Sequence, residues 1–281
     1  MTAKMPRSFS PSSWKLWQQC PRQWKRRYVD FDKRPPTVEL VVGRFVHSVL
    51  AELFEAEPTE RTKAKAREIA AAQWKAMQRD AEFRTLALDE EGAAAFKAEV
   101  WQLVLGEWEL EDPGAVKVVA TERKVRVAVE GVPFTGALDR LDETRAGLAV
   151  RDYKTGKPPN FDHRQKDAPQ VLLYAAASEA AGLGEGKPVV EASLLYLAGP
   201  AWVDAPVGIA KRRSVVREYA MDWADVQEAC KAESFPPKPS TLCGWCDYVA
   251  ECPEGAAAVR ERYGNGQRDV PALALLEEKP C

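Results

Sequence analysis

The sequence has no apolar run long enough to cross a bilayer, a span that needs about 20 apolar residues. Its first residues, Met1-Thr-Ala-Lys-Met-Pro-Arg7, are polar and do not read as a signal peptide. No membrane association and a cytoplasmic location are therefore expected. No G-x-x-x-x-G-K-[ST] occurs, so a P-loop motor is not expected in this chain. Net charge is only −2, which excludes a polycation and leaves any nucleic-acid binding to local basic patches. What is present is ordinary for a soluble globular protein: 281 residues, 46% hydrophobic and 29% charged. That length allows one large domain or two small ones. Six cysteines in a chain read as cytoplasmic argue for metal or redox chemistry rather than a disulfide framework.

The chemistry concentrates in Gly136-Ala-Leu-Asp139-Arg140-Leu-Asp142 and, ten residues beyond, Asp152-Tyr153-Lys154-Thr155-Gly156. Leu148, Val150, Asp152 and Lys154 lie two apart, so on a β-strand they share one face. Asp139 closes the preceding apolar segment, and a hairpin would bring it beside Asp152. Two carboxylates and a lysine converging there suit a hard cation such as Mg²⁺ or Mn²⁺. Such an ion can lower the pKa of a water and polarise a phosphoryl oxygen. An isolated D-x-K is more simply an exposed ion pair, which contributes little. Arg140 and Asp142 can pair with each other and read as support for the ligands.

The longer pattern resembles the PD-(D/E)XK nuclease superfamily, specifically its RecB-like exonuclease branch. Gly43-x-x-x-His47-x-x-Leu50 resembles the helix that carries a metal-binding histidine in that family. From spacing alone, His47 is an inward-facing core histidine. Gln170-Val-Leu-Leu-Tyr174 resembles the family's Q-x-x-x-Y helix; without the resemblance it is a helix face packed on a sheet. Two departures stand out. Arg151 precedes Asp152 where the family usually has an apolar residue, and the histidine helix opens Gly43-Arg44-Phe45. The resemblance implies metal ligation by His47, Asp139, Asp152 and the Tyr153 carbonyl. It implies a water positioned by Lys154, and a substrate strand handled by Gln170 and Tyr174. The imidazole would favour Mn²⁺ over Mg²⁺.

Trp14, Trp17, Trp24 and Tyr28 form a helical aromatic stripe that Pro21 should interrupt just after Cys20. Arg22, Lys25, Arg26, Arg27, Lys33 and Arg34 crowd the same stretch. Aromatics interleaved with basic residues suit single-stranded nucleic acid; a core stripe with a solvated basic face is the plainer alternative. Lys211-Arg212-Arg213 is a second basic patch, or a solvated loop.

Cys243-Gly-Trp-Cys246 and Cys252-Pro253 place three thiols in a short proline-bounded segment. Cys20, also followed by proline, is the natural fourth. This arrangement resembles the [4Fe–4S] staple of CRISPR-associated RecB-like and AddB-type nuclease domains. Four thiolates suit a cubane cluster, and Zn²⁺ with the same ligands is the alternative. Cys230 reads as an inert buried thiol, and Cys281 as irrelevant.

The expected fold is α/β: a restriction-endonuclease-like core with a central mixed sheet flanked by the His47 and Gln170 helices. An added helical lobe covers about 60–112, and the cluster staples the chain ends. A single domain over 1–265 and a mobile tail over 266–281 are expected. Val189–Leu197 and Val215–Ala220 read as strands, with a helix beginning at Asp222. The function implied by the resemblance is metal-dependent DNA exonuclease activity on single-stranded ends, in recombination, repair, phage or CRISPR-adaptation processing. Partners from recombination or CRISPR adaptation are implied with it. The rivals are a non-catalytic nucleic-acid-binding module held by zinc or a cluster, and a nuclease subunit of a larger recombination complex.

Overall fold

The computed structural model describes residues 5–32, 34–159, 168–264, 266 and 269–277. Lys33 and Cys281 lie outside them. The chain divides into two compact units: Pro35–Glu218, and Met1–Arg34 together with Tyr219–Cys281.

In the first of these, β1 (Val118–Val129), β2 (Val132–Glu143), β3 (Leu148–Lys154), β4 (Val189–Tyr196) and β5 (Ala201–Asp204) make one mixed sheet in the order β1-β2-β3-β4-β5. β3 and β4 pair in parallel, and the other neighbours are antiparallel. The α3 helix (Val38–Glu55) starts at an N-cap where the Thr37 hydroxyl accepts from the Leu40 amide, so Gly43 lies inside the helix instead of opening it. Helices α4 (Lys63–Met77) and α6 (Glu90–Leu110), with the short α5 (Ala81–Arg84) between them, fill the region expected to be an added lobe. They are part of the core. Phe96, Val100, Leu103 and Val104 of α6 share one apolar cluster with Val46, Leu50, Leu53 and Tyr153. α7 (Ala168–Ala180) packs on β4, β1 and β3.

The second unit begins with α1 (Pro11–Gln19) and α2 (Pro21–Tyr28). Pro21 separates them, leaving Cys20 extended at φ −164°. The expected strand at Val215–Ala220 is instead the middle of α8 (Ile209–Ala232). Val215, Tyr219, Trp223, Val226 and Cys230 are buried at spacings of three and four, which is helical periodicity. Six residues, Val215–Ala220, were too short to separate the two periods. After the cysteine segment come α9 (Pro253–Tyr263) and α10 (Pro271–Glu277). The latter corrects the expected mobile tail over its length, because Val270 and Ala272 are buried against Val249, Val259 and Tyr263.

Candidate active site

The β2–β3 register pairs Arg140 with Arg151, and extending it by one pair brings Asp139 level with Asp152. Asp139 Oδ2 accepts the Tyr153 backbone amide at 2.8 Å. Asp152 Oδ2 lies 2.6 Å from Lys154 Nζ. From α7, Gln170 Nε2 donates to Asp152 Oδ1 at 2.9 Å, and Lys154 Nζ donates to Gln170 Oε1 at 3.3 Å. One amide therefore fixes both the carboxylate and the ammonium. From α3, His47 Nδ1 is 3.4 Å from Asp139 Oδ2 and 3.9 Å from Glu122 Oε1. Donor atoms of His47, Glu122 and Asp139 all lie within 4.8 Å of one another.

Burial pushes the Asp152 carboxyl up to about 6; Lys154 opposes that rise and Asp139 adds to it. Burial alone would lower the His47 imidazole, but Asp139, Asp152 and Glu122 hold it above its ordinary value. Glu122 is raised by burial and then by Asp139. Asp152 and Glu122, both raised chiefly by burial and further by the Asp139 charge, fit a divalent cation that would relieve them. His47, Glu122, Asp139 and Lys154 line one groove of about 1050 Å³. A family model describing the PD-(D/E)XK nuclease superfamily matches residues 8–253.

The chain belongs to the PD-(D/E)XK nuclease superfamily. Members of this superfamily are nucleases that use divalent metals. No curated protein matches this nuclease. A solved structure described as the crystal structure of SSO0001 is 14% identical over 76% of this chain and 95% of its own, with a TM-score of 0.34.

Beneath the site of this nuclease sits a buried ionic network. Arg140 has no solvent exposure. Its Nε donates to Asp142 Oδ1 at 2.9 Å, and Nη1 donates to Glu107 Oε1 at 2.9 Å and to the Tyr153 hydroxyl. Nη2 reaches Glu111 and, at 3.0 Å, Asp142. The expected pairing of Arg140 with Asp142 is present. Glu107 comes from α6 and Glu111 caps the C-terminus of that helix, where the sequence offers no motif. Burial pushes the Glu107 carboxyl up to about 8 against the pull of Arg140. Arg140 and Tyr153 flank Asp139 and Asp152 in sequence, so the network fixes the strands that carry the site.

Tyr174 of α7 lies within the electrostatic reach of Asp152, Asp139 and Glu122. It is 8% exposed and packs edge-on against Phe134. A Cβ at Gly136 would lie 2.8 Å from Tyr174 Cε1, so glycine there is what admits the ring. Tyr174 thus positions β2. Glu122, which was not among the expected ligands, joins His47 and Asp139. Its backbone has φ of 42°, a left-handed conformation uncommon outside glycine. Only the sheet register, which pairs Thr121 with Arg140 and Arg123 with Leu138, sets it opposite Asp139.

In the other unit, Trp24 is fully buried, donates to Ser13 Oγ at 2.8 Å, and packs on Trp17 and Phe235. It is a core residue, as in the core-stripe alternative. Arg22 pairs with Glu254, Lys25 with Asp30, and Arg26 with Asp32 and Glu251. Those acids cancel much of the basic patch. Arg27 is exposed. In the Pro35–Glu218 unit, Lys211, Arg212 and Arg213 lie on the first turns of α8, with Arg212 bound to Glu179.

Cys20, Cys243, Cys246 and Cys252 line one cavity. Cys243 Sγ accepts the Ser240 amide at 3.4 Å; Cys252 Sγ accepts the Gly255 amide at 3.4 Å and Arg22 Nη1 at 3.5 Å. A Cβ at Gly255 would lie 3.2 Å from Cys252 Sγ and 3.8 Å from Cys243 Sγ. Donors aimed at sulfur, and a cradle kept clear by glycine, fit a thiolate-bound metal group. Burial pushes the Cys246 thiol up to about 11, so that ligand needs a cation to ionise.

Proposed function

We propose that this nuclease hydrolyses single-stranded DNA from an end, in recombination, repair, phage or CRISPR-adaptation processing. The observation that carries the reading is the convergence of Asp139, Asp152 and Lys154 with His47 at one groove. His47, Glu122, Asp139, Asp152 and the Tyr153 carbonyl would hold one or two Mg²⁺ or Mn²⁺ ions. A divalent ion bound there supplies Lewis acidity toward the scissile phosphoryl group. The residues of the chain do the rest. Lys154, held by Asp152 and Gln170, orients the attacking water and offsets charge developing on the phosphate. Gln170 keeps Asp152 turned toward the site, and Tyr174 fixes β2. Hydrolysis adds the water across one P–O bond.

The four cysteines of the other unit are assigned a [4Fe–4S] cluster with a structural role, tying the α1–α2 junction to the segment before α9. Zn²⁺ on the same four thiolates is the alternative.

The test is degradation of end-labelled single-stranded DNA with Mg²⁺ or Mn²⁺, comparing anaerobically purified protein with Asp152→Asn. Calorimetry of Mn²⁺ binding without DNA accompanies it. Cutting by the wild type alone, with weakened Mn²⁺ binding in the variant, is the expected result. DNA binding without cutting by either protein would sink the hydrolytic reading and leave a binding module. Iron and acid-labile sulfide in the purified protein, against zinc, decide the cluster assignment.

A further inference from the structure

The groove that holds the candidate site runs along α3, lined in order by Leu40, Arg44, His47, Ala51, Glu52 and Glu55. Its charge is graded. At the N-terminal end, the Glu39 carboxylate is lowered by its own backbone amide and by Thr37. The positive helix terminus stabilises that anion, and Arg44 follows within the groove, paired with Glu82 at 3.0 Å. The C-terminal end is the reverse. Glu52 and Glu55 lie there on the negative terminus of α3, with no basic residue in the last turn. Acids are unfavourable in that place. Glu52 is also held rather than free: Gln73 Nε2 donates to Glu52 Oε2 at 2.7 Å and to the Ser48 carbonyl at 3.1 Å. Both partners are acceptors, which fixes the amide orientation.

We infer that Glu52 and Glu55 close this end of the groove to the phosphodiester backbone, so that hydrolysis requires a DNA end. This rests on the nuclease reading above and deepens it. A strand enters past Arg44 and reaches the metal ligands at His47. Roughly 12 Å further along α3, a continuing polyanion meets two carboxylates and a negative helix end. A strand that terminates before them avoids the repulsion; a closed circle cannot. The same carboxylates disfavour a terminal phosphate relative to a terminal hydroxyl.

The experiment compares a linear single strand with a covalently closed circle of the same sequence, using full-length protein, Mn²⁺, and the Glu52→Gln/Glu55→Gln variant. Wild type is expected to cut the linear DNA at least about tenfold faster, and the variant to narrow that ratio several-fold. Gln73→Ala, which releases Glu52, is expected to narrow it in the same direction. Affinities for the two DNAs measured in EDTA read the same charge effect without turnover. An unchanged ratio in both variants, or equal cutting of circle and line by the wild type, overturns this inference and leaves hydrolysis standing. Failure of the wild type to cut either DNA overturns the nuclease reading instead.

Discussion

Replacing Arg140 by methionine keeps most of its volume and removes its charge. In the wild type, Asp142 accepts from Arg140 Nε and Nη2 and has Arg151 Nε at 3.5 Å. Burial raises the Glu107 carboxyl against the pull of Arg140, and Asp142 is the carboxylate that accepts the most bonds from the guanidinium. Without it, burial drives Asp142 to take a proton. Protonating a carboxyl of ordinary pKa near 3.9 at pH 7 costs about 1.36 kcal/mol per unit, or about 4 kcal/mol in all. The remaining Arg151 relieves part of this, which leaves about 3 kcal/mol, the lower end for breaking a buried ion pair. The pH dependence has a definite sign. A carboxyl whose folded pKa rises above its unfolded one destabilises the fold above the unfolded value, and the deficit shrinks as pH falls toward that value. The expected deficit is about 3 kcal/mol at pH 7 and about 1 kcal/mol at pH 5. Urea unfolding followed by circular dichroism at both pH values measures it. A deficit below about 1 kcal/mol at pH 7, or one that does not narrow at pH 5, would refute the argument. Adding Asp142→Leu to Arg140→Met is expected to recover most of the loss, since a missing pair costs less than half a pair.

Gly136→Ala places a methyl 2.8 Å from Tyr174 Cε1; thermal unfolding should show a loss of about 1–3 kcal/mol, as overpacked sites do. Glu122→Gln should weaken Mn²⁺ binding about tenfold by calorimetry, and an unchanged affinity removes Glu122 from the ligand set. Cys20→Ser should abolish bound iron and sulfide, whereas Cys230→Ser, buried in α8, should retain both on metal analysis. Trp24→Ala should cost about 3–5 kcal/mol in urea unfolding, where a base-stacking residue would change DNA affinity and leave stability nearly alone.

Asp139, Asp152 and Lys154 were legible in the sequence because strand periodicity and a short hairpin are local rules: two residues per repeat and one turn decide which side chains meet. Pro21 breaking the first helix beside Cys20 is equally local, since the ring blocks the helical hydrogen bond wherever it falls. The helix at Val215–Ala220 was not legible, because over six residues an apolar pair and its neighbours fit either period. Only the continuation to Trp223, Val226 and Cys230 separates them.

Other features depend on which elements pack together, and no local pattern carries that information. Glu107 and Glu111 are unremarkable acids on a helix until α6 lies against the sheet and Arg140 is sealed from water between them. Trp24 and its basic neighbours match a nucleic-acid surface in composition. Burial of the indole and pairing of the cations with Asp30, Asp32, Glu251 and Glu254 remove that role. Glu122 meets His47 only because β1 pairs with β2 in one register, and a slip of one residue would turn it to the opposite face. The sequence by itself set the chemistry on β2 and β3. Tertiary packing decided which further charges join that chemistry and which are cancelled, because burial and partner distance set what a charge can do.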